Sequence, residues 1–187
     1  SWRTMDGTPV NVPAIADEGG PADRITLDDE FEAHTWLESF FVRDGKAHFL
    51  YLAQTNPPRQ HYMRYDVATA KRELDIQPEF KGQTLSLRNL DGFFATRFAE
   101  PNATIYVVSR DAGASRLACL ASDDDGSTWR DYAVGPTVTN IYAIGGCREV
   151  TDDGWIIGSF TEQIASTLDP GGGSKVRFFR IRAESTR

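Results

Sequence analysis

The chain has 187 residues, of which 40% are hydrophobic and 25% are charged, and its formal net charge is −7. This length suits one domain with its own hydrophobic core, and the composition excludes a disordered chain. The acidic balance argues against nucleic acid as a partner, because a nucleic-acid-binding surface is basic. No apolar run is long enough for a membrane span. We therefore expect a globular domain that binds neither nucleic acid nor membrane.

The predicted elements are β-strands. Runs rich in Val, Ile, Phe, Tyr and Thr are separated by turn sequences such as Asp44-Gly45 and Pro101-Asn102. We find no convincing amphipathic helix, and residues 67–76 are predicted as a hairpin with a continuing strand. The predicted strands, in chain order, cover residues 35–43, 47–53, 60–66, 92–98, 103–109, 116–122, 129–134, 138–145, 154–160 and 175–182.

The strands recur in groups with a period of about 50–60 residues, which is the size of a propeller blade of four antiparallel strands. The sequence therefore predicts an all-β fold, a β-propeller with about three blades in this chain, as one segment over residues 1–187. Within it we assign residues 1–28 to the tail of a preceding blade, 29–84 to a blade, 85–136 to a second blade, and 137–187 to a blade that lacks its outer strand.

Three blades do not close a ring, because propellers close with roughly four to eight. An open ring would leave sheet edges and faces exposed. We therefore expect a homodimer, or a second chain, to complete the propeller. In a symmetric dimer, the strand near Thr8–Pro13 could complete the last blade of the partner.

One motif is specific. Residues 122–129 read S-D-D-D-G-S-T-W and fit the pattern S-x-D-x-G-x-T-W. The aspartate can accept backbone N–H groups and fix a tight hairpin, the glycine can supply a positive φ, and the tryptophan can pack over the turn. The run lacks the ligand spacing and the closing glutamate of a calcium loop, so we expect a structural turn and no metal. The five fixed positions are Ser122, Asp124, Gly126, Thr128 and Trp129.

This motif resembles the Asp box, or bacterial neuraminidase repeat, of sialidases and related propellers. Residues 6–13 and 61–66 are more narrowly similar to the branch that contains putative ulvan-type polysaccharide lyases. The resemblance implies a structural Asp box and a protein that cleaves extracellular polysaccharide by β-elimination. It also implies a poly- or oligosaccharide partner, no cofactor, and an extracellular or periplasmic location, although no signal peptide is visible. The alternatives are a sialidase-like glycoside hydrolase and a non-catalytic sugar-binding module.

A lyase acting on a uronate needs a base, an acid and a cation that neutralises the carboxylate. His61, Tyr62 and Arg64 supply these residue types within one predicted strand. Because side chains alternate along a strand, His61 should face away from Tyr62 and Arg64. The candidates are therefore His34 or His61 as the base, Tyr62 or Tyr142 as the acid, and Arg64 or Arg97 as the cation.

The alternatives use other residues. A hydrolase with two carboxylates could use Glu38 and Asp91, although Glu38 and Arg97 could instead pair across adjacent blades. A sugar-binding module could use aromatic rings that include Tyr142 and Trp155. The two cysteines, Cys119 and Cys147, are expected to be buried free thiols, with one disulfide bridge as the alternative.

Overall fold

The computed structural model describes residues 2–4, 7–10, 25–86, 91–163 and 173–184. Within these ranges the chain forms strands and one short 3-10 helix (Asp28–Glu30), so the predicted all-β class is confirmed. The strands are β1 (Trp2–Arg3), β2 (Pro9–Val10), β3 (Thr35–Arg43), β4 (Lys46–Ala53), β5 (Arg59–Asp66), β6 (Lys71–Ile76), β7 (Glu79–Phe80), β8 (Gln83–Thr84), β9 (Gly92–Ala95), β10 (Ile105–Arg110), β11 (Leu117–Ser122), β12 (Arg130–Val134), β13 (Ile141–Gly146), β14 (Trp155–Gln163) and β15 (Ser174–Arg182).

Three antiparallel sheets contain most of these strands. The first sheet has the order β3-β4-β5-β6, the second β9-β10-β11-β12, and the third β13-β14-β15. Two small hairpins, β1-β2 and β7-β8, form separate two-stranded sheets, and Phe80 of β7 packs in the core between the first and second large sheets. Strands that follow one another in the chain pair with one another, because short hairpin turns suit antiparallel neighbours.

Turn residues determine where these hairpins reverse. Asp44 and Gly45, between β3 and β4, both have positive φ (49° and 74°), as a two-residue type I′ turn requires. Between β5 and β6 the Asp66 carboxylate accepts hydrogen bonds from the backbone N–H and the hydroxyl of Thr69, both at 2.8 Å. The predicted strand after residue 67 is therefore β6, and it begins as soon as this turn ends.

The second sheet is the middle layer of the molecule, and every residue of β9 and β11 is buried. Strand alternation divides its side chains between two cores. Phe94, Val107 and Leu120 pack with Leu50 and Tyr62 of the first sheet. The opposite face packs on the third sheet, where the buried residues include Phe93, Val108, Cys119, Ile144, Ile156 and Phe160.

The innermost strands of the three sheets are neighbours. β9 lies against both β3 and β13. Just after β9, the N–H of Thr96 donates to the carbonyl of Arg148 (2.9 Å), and the N–H of Val150 donates to the carbonyl of Thr96 (3.0 Å). The Arg148 guanidinium donates to the carbonyl of Phe40 on β3 (2.7 Å). Antiparallel sheets that converge on their first strands are compatible with propeller-like blades.

The third sheet differs from the other two in its outer edge. β15 pairs with β14 along all its residues, and no strand of the described ranges pairs with its other edge. An apolar groove of about 560 Å³ lies between β12 and β15, lined in part by Val134, Phe178 and Ile181. In the strand near Thr8–Pro13, residues 11–13 lie outside the described ranges.

Both cysteines are free thiols. Cys119 is buried in the core between the second and third sheets, as expected, but Cys147 is exposed, so the prediction of two buried thiols is wrong for Cys147. Cys147 follows the end of β13, where its N–H still donates to the carbonyl of Ile157 on β14 (3.0 Å) while the residue is exposed to solvent. No helix in the described part of the chain is long and apolar enough to cross a membrane.

Candidate functional site

The motif at residues 122–129 forms a hydrogen-bonded turn between β11 and β12. Asp124 accepts from the Ser122 hydroxyl (2.8 Å) and from the backbone N–H and hydroxyl of Thr128 (2.8 and 2.6 Å). The N–H of Gly126 donates to the Ser122 hydroxyl (2.8 Å). Gly126 has φ = 83°, a region that favours glycine. The Thr128 and Ser122 hydrogen bonds keep the pKa of Asp124 below its usual range although partial burial opposes this.

This turn packs against the first sheet through Tyr62 and Arg64. The Tyr62 hydroxyl donates to the carbonyl of Asp125 (3.3 Å), and the Trp129 and Tyr62 rings meet edge to face at 5.0 Å. Arg64 donates to the same Asp125 carbonyl (2.5 Å) and to the carboxylate of Glu73 (3.0 Å). Tyr62 is fully buried. These two predicted catalytic residues therefore hold the turn of the second sheet against the first sheet.

His48 lies beneath the same contact. Its Nδ1 is 2.8 Å from the Tyr62 hydroxyl, and its ring stacks on Phe41 at 4.3 Å. Burial, reinforced by the charges of Arg43 and Arg64, lowers the pKa of His48 to about 3. His48 is therefore a neutral core residue at physiological pH.

His61 faces the other side of the first sheet, as strand alternation requires. Its Nδ1 lies 2.8 Å from a carboxylate oxygen of Asp75, and its Nε2 lies 2.8 Å from one of Glu30, which is itself buried. Its ring stacks on Tyr51 at 4.6 Å. Burial lowers the pKa of His61, but the hydrogen bonds and charges of Asp75 and Glu30 outweigh it, so the pKa is raised. Both ring nitrogens are thus engaged within the chain.

The remaining predicted residues are spread over several surfaces. The His34 ring, ahead of β3, lies tilted by 31° against that of Trp36 at 4.7 Å, and Tyr142 on β13 is 53% exposed. Glu38 lines a central cavity of about 400 Å³ between β3, β9 and β13, together with the side chain of Arg148. Arg97 does not line this cavity and belongs to a cleft at the other end of the strands. The structure brings together Tyr62 and Arg64, and does not gather the seven predicted catalytic residues in one site.

Two related predictions concern Asp91 and the aromatic rings. Asp91 is buried and forms an ion pair with Arg110 (3.1 Å). Of the proposed stacking rings, Tyr142 is exposed, and Trp155 is covered by the guanidinium groups of Arg180 and Arg182 at 4.5 and 4.9 Å.

A large polar cleft opens at the other end of the strands, where β9, β11 and β15 finish. It has a volume of about 1080 Å³ and lies between the second and third sheets. Of its lining residues, the sequence analysis predicts only Arg97 as a site residue, because the others lie far apart in the chain and form no local motif. The lining residues are Arg97, Pro101, Asn102, Ala103, Thr104, Tyr106, Asp123, Arg130, Tyr132, Arg182, Ala183 and Glu184.

Arg130 organises one wall of this cleft. Its guanidinium donates to the carboxylates of Asp123 (3.2 Å) and Glu184 (2.8 Å). Asp123 also accepts from the Thr104 hydroxyl (2.7 Å). The Asp123 and Glu184 side chains are 56% and 48% exposed, so each carboxylate keeps lone pairs that can accept further hydrogen bonds.

Two tyrosines form the floor of the cleft. The Tyr106 and Tyr132 rings lie 5.1 Å apart. Tyr106 accepts the N–H of Glu184 (3.0 Å), and Tyr132 donates to the carbonyl of Arg182 (2.5 Å). Burial raises the pKa of Tyr132 to about 12 and that of Tyr106 above its usual value, so both remain phenols. They fix the last residues of the third sheet on the second.

Comparison of the chain with models of known protein families, with curated proteins and with solved structures finds no match. Across the described ranges, no group of three or more His, Cys, Asp and Glu side chains could hold a metal ion.

Proposed function

We propose that the chain is a carbohydrate-binding protein of the Asp-box class and that its sugar site is the cleft between the second and third sheets. The single observation that carries this proposal is the wall formed by Arg130, Asp123 and Glu184. One guanidinium there holds two exposed carboxylates, which come from different sheets. Fixed polar groups that line a concave site are the usual means by which a protein orients a small polar ligand.

Binding is favoured over cleavage by the contacts of these carboxylates. Arg130 holds both as fixed hydrogen-bond acceptors, whereas glycoside hydrolysis needs one carboxyl group placed to give a proton to the leaving oxygen. The predicted β-elimination also gains no support, because His61 lies on the opposite face from Tyr62 and Arg64. Cleavage of extracellular polysaccharide stays a prediction that the assays below test.

A panel of soluble glycans tests the proposal. Uronate-bearing, sialylated and neutral oligosaccharides are titrated into the chain by calorimetry. We expect saturable binding of at least one class. Asp123→Asn removes a charge from the cleft and should weaken that binding about 10- to 100-fold, which corresponds to the roughly 1.5–3 kcal/mol of one hydrogen bond to a charged group. The matched control is Asp44→Asn, at an exposed turn that does not line the cleft, and its affinity should equal that of the wild type.

The same samples separate binding from catalysis. A lyase makes an unsaturated product that absorbs in the ultraviolet, and a hydrolase makes new reducing ends without that absorbance. We expect that the ligand is retained and that neither the ultraviolet absorbance nor new reducing ends develop. Either product would overturn the non-catalytic form of the proposal, and the absence of binding to every class would overturn the proposal itself.

We also propose that the sheets are blades of a partial propeller and that a second copy of the chain completes it. The support is the edge of β15 with which no strand of the described residues pairs. It lies beside the apolar groove between β12 and β15, and an extended strand could enter there and cover both. Light scattering should then give a mass near twice 20.8 kDa. A monomer at the same concentration would contradict this dimer without affecting the sugar site.

A further inference from the structure

Within the cleft, the side chains of Arg97 and Arg182 converge on one small space. Gly154 forms the turn before β14, with φ = 80° and no side chain. A Cβ atom placed on Gly154 would lie 3.3 Å from Nη2 of Arg97 and 3.7 Å from Nη2 of Arg182. The space that glycine leaves empty is therefore within reach of both guanidinium groups.

Most donors of these two arginines are not used by the described residues. Arg97 makes one long hydrogen bond, to the carbonyl of Thr151 (3.5 Å). Arg182 donates one N–H to the carbonyl of Asp153 (2.7 Å). Because a guanidinium has five N–H donors, each keeps several that can turn toward a ligand.

The acidic groups near the two arginines are held by other partners or approach from another side. Glu100 approaches Arg97 from the Nε side at 3.8 Å, away from Nη2. The carboxylate of Asp153 accepts from the Thr151 hydroxyl (2.6 Å), which with Arg182 keeps the pKa of Asp153 below its usual range. Arg180 lies over the ring of Trp155 beside Arg182 but does not line the cleft. The Asp123 and Glu184 carboxylates of the cleft are held by Arg130. Arg97 and Arg182 thus bring two like charges close together at Gly154, and such charges repel one another unless an anion lies between them.

We propose that Arg97 and Arg182 form an anion subsite over Gly154, which takes a carboxylate, sulfate or phosphate group. The planar guanidinium fork matches the oxygens of such groups, and two forks that address one point bind an oxyanion by charge-assisted hydrogen bonds. This subsite deepens the proposed function, because it assigns an acidic sugar to the cleft. It also stands without that function, since a free anion needs only the two arginines.

Inorganic sulfate is the probe. It is titrated against chloride at constant ionic strength while the amide resonances of Gly154 and its neighbours are followed by NMR. We expect saturable shifts at Gly154 and Ala183 in the wild type. Arg182→Gln and Arg97→Gln should each weaken sulfate binding at least tenfold. Arg180→Gln is the matched control, because Arg180 stacks on the same tryptophan but does not line the cleft, and its affinity should change less than twofold.

Three results would overturn the subsite: shifts that do not saturate, an Arg180→Gln effect equal to that of Arg182→Gln, and unchanged sulfate affinity in both cleft variants. Circular dichroism of each variant verifies that the sheets remain folded. If sulfate binds through the two arginines and no glycan binds, the subsite stands and the carbohydrate function fails. If glycans bind and neither arginine affects glycan or sulfate affinity, the function stands and the subsite fails.

Discussion

A Cβ atom on Gly126 would lie 1.6 Å from the hydroxyl oxygen of Tyr62. The turn of the second sheet thus touches the first sheet so closely that only a residue without a side chain fits. The same glycine has a positive φ, so both its backbone conformation and its surroundings exclude a larger residue. Gly126 is accordingly required for the contact between the two sheets as well as for the turn.

Gly126→Ala should therefore destabilise the chain more than a glycine substitution in an open turn. We expect a loss of about 3 kcal/mol of unfolding free energy, of which about 1 kcal/mol is backbone strain and the rest overpacking against Tyr62. Gly45→Ala is the control, because Gly45 also has a positive φ but no atom lies within 4 Å of the added Cβ. Urea unfolding measures both, and equal losses would show that the contact with Tyr62 is not close in solution.

Arg64 should be important for stability and not for ligand binding. Arg64→Gln removes the hydrogen bonds to the Asp125 carbonyl and to Glu73, which should cost about 1–2 kcal/mol of unfolding free energy. Glycan affinity should stay within twofold of the wild type. A folded Arg64→Gln protein that no longer binds or cleaves a glycan would restore Arg64 to the functional residues.

Two buried histidines should give the chain a stability maximum near pH 6.5. His48 has a pKa lowered to about 3, so it contributes stability above the unfolded pKa of 6.5 that is lost as the pH falls toward 3. His61 has a raised pKa, so its contribution is complete below 6.5 and is lost as the pH rises through the folded value. Each effect is at most about 1.4 kcal/mol per pH unit.

Urea unfolding between pH 5 and 8.5 measures this profile. His61→Asn should remove the decline in stability above pH 6.5 and leave the decline below it. The reason is that no imidazole then gains a proton between Asp75 and Glu30. Two results would contradict the role given to Asp75 and Glu30 in raising the pKa of His61. One is a wild-type stability that rises steadily from pH 6.5 to 8.5, and the other is a His61→Asn profile identical to that of the wild type.

The two thiols should differ in reactivity. Cys147 is exposed, whereas Cys119 is buried and its burial raises the pKa of the thiol far above its usual value. A thiol reagent should thus modify one cysteine rapidly in the native protein and two after unfolding, because only the exposed thiol can form an accessible thiolate. Modification of both at the same rate, or of neither, would show that the packing around β11 or the exposure of residue 147 is wrong.

Strand positions could be predicted from the sequence because each strand has a local signal. Alternation and turn residues such as Asp44-Gly45 mark the ends of β3 and β4, and the S-x-D-x-G-x-T-W pattern marks the β11–β12 turn. The opposite orientation of His61 and Tyr62 followed from the same alternation. These features depend on residues that are close together in the chain.

The partners of these residues could not be predicted, because they depend on contacts between distant segments. Tyr62 meets Gly126 and Asp125 across two sheets, and His61 meets Glu30 of a short 3-10 helix that has no periodic signal. The cleft draws Arg97, Arg130 and Arg182 from three strand ends. Arg180 and Arg182 alternate near the end of β15, which is a local sign of a basic surface. The sequence also indicates Arg97 as a cation, but for the carboxylate of a uronate in a lyase.

The location of the ligand site is the central claim, and mapping amide chemical shifts with an acidic oligosaccharide tests it most directly. The account predicts that the largest shifts fall on Asn102, Asp123 and Glu184, which line the cleft at one end of the strands, and on Gly154 beside Arg97 and Arg182. Shifts concentrated on His34, Glu38 and Tyr142, at the other end and in the central cavity, would contradict it.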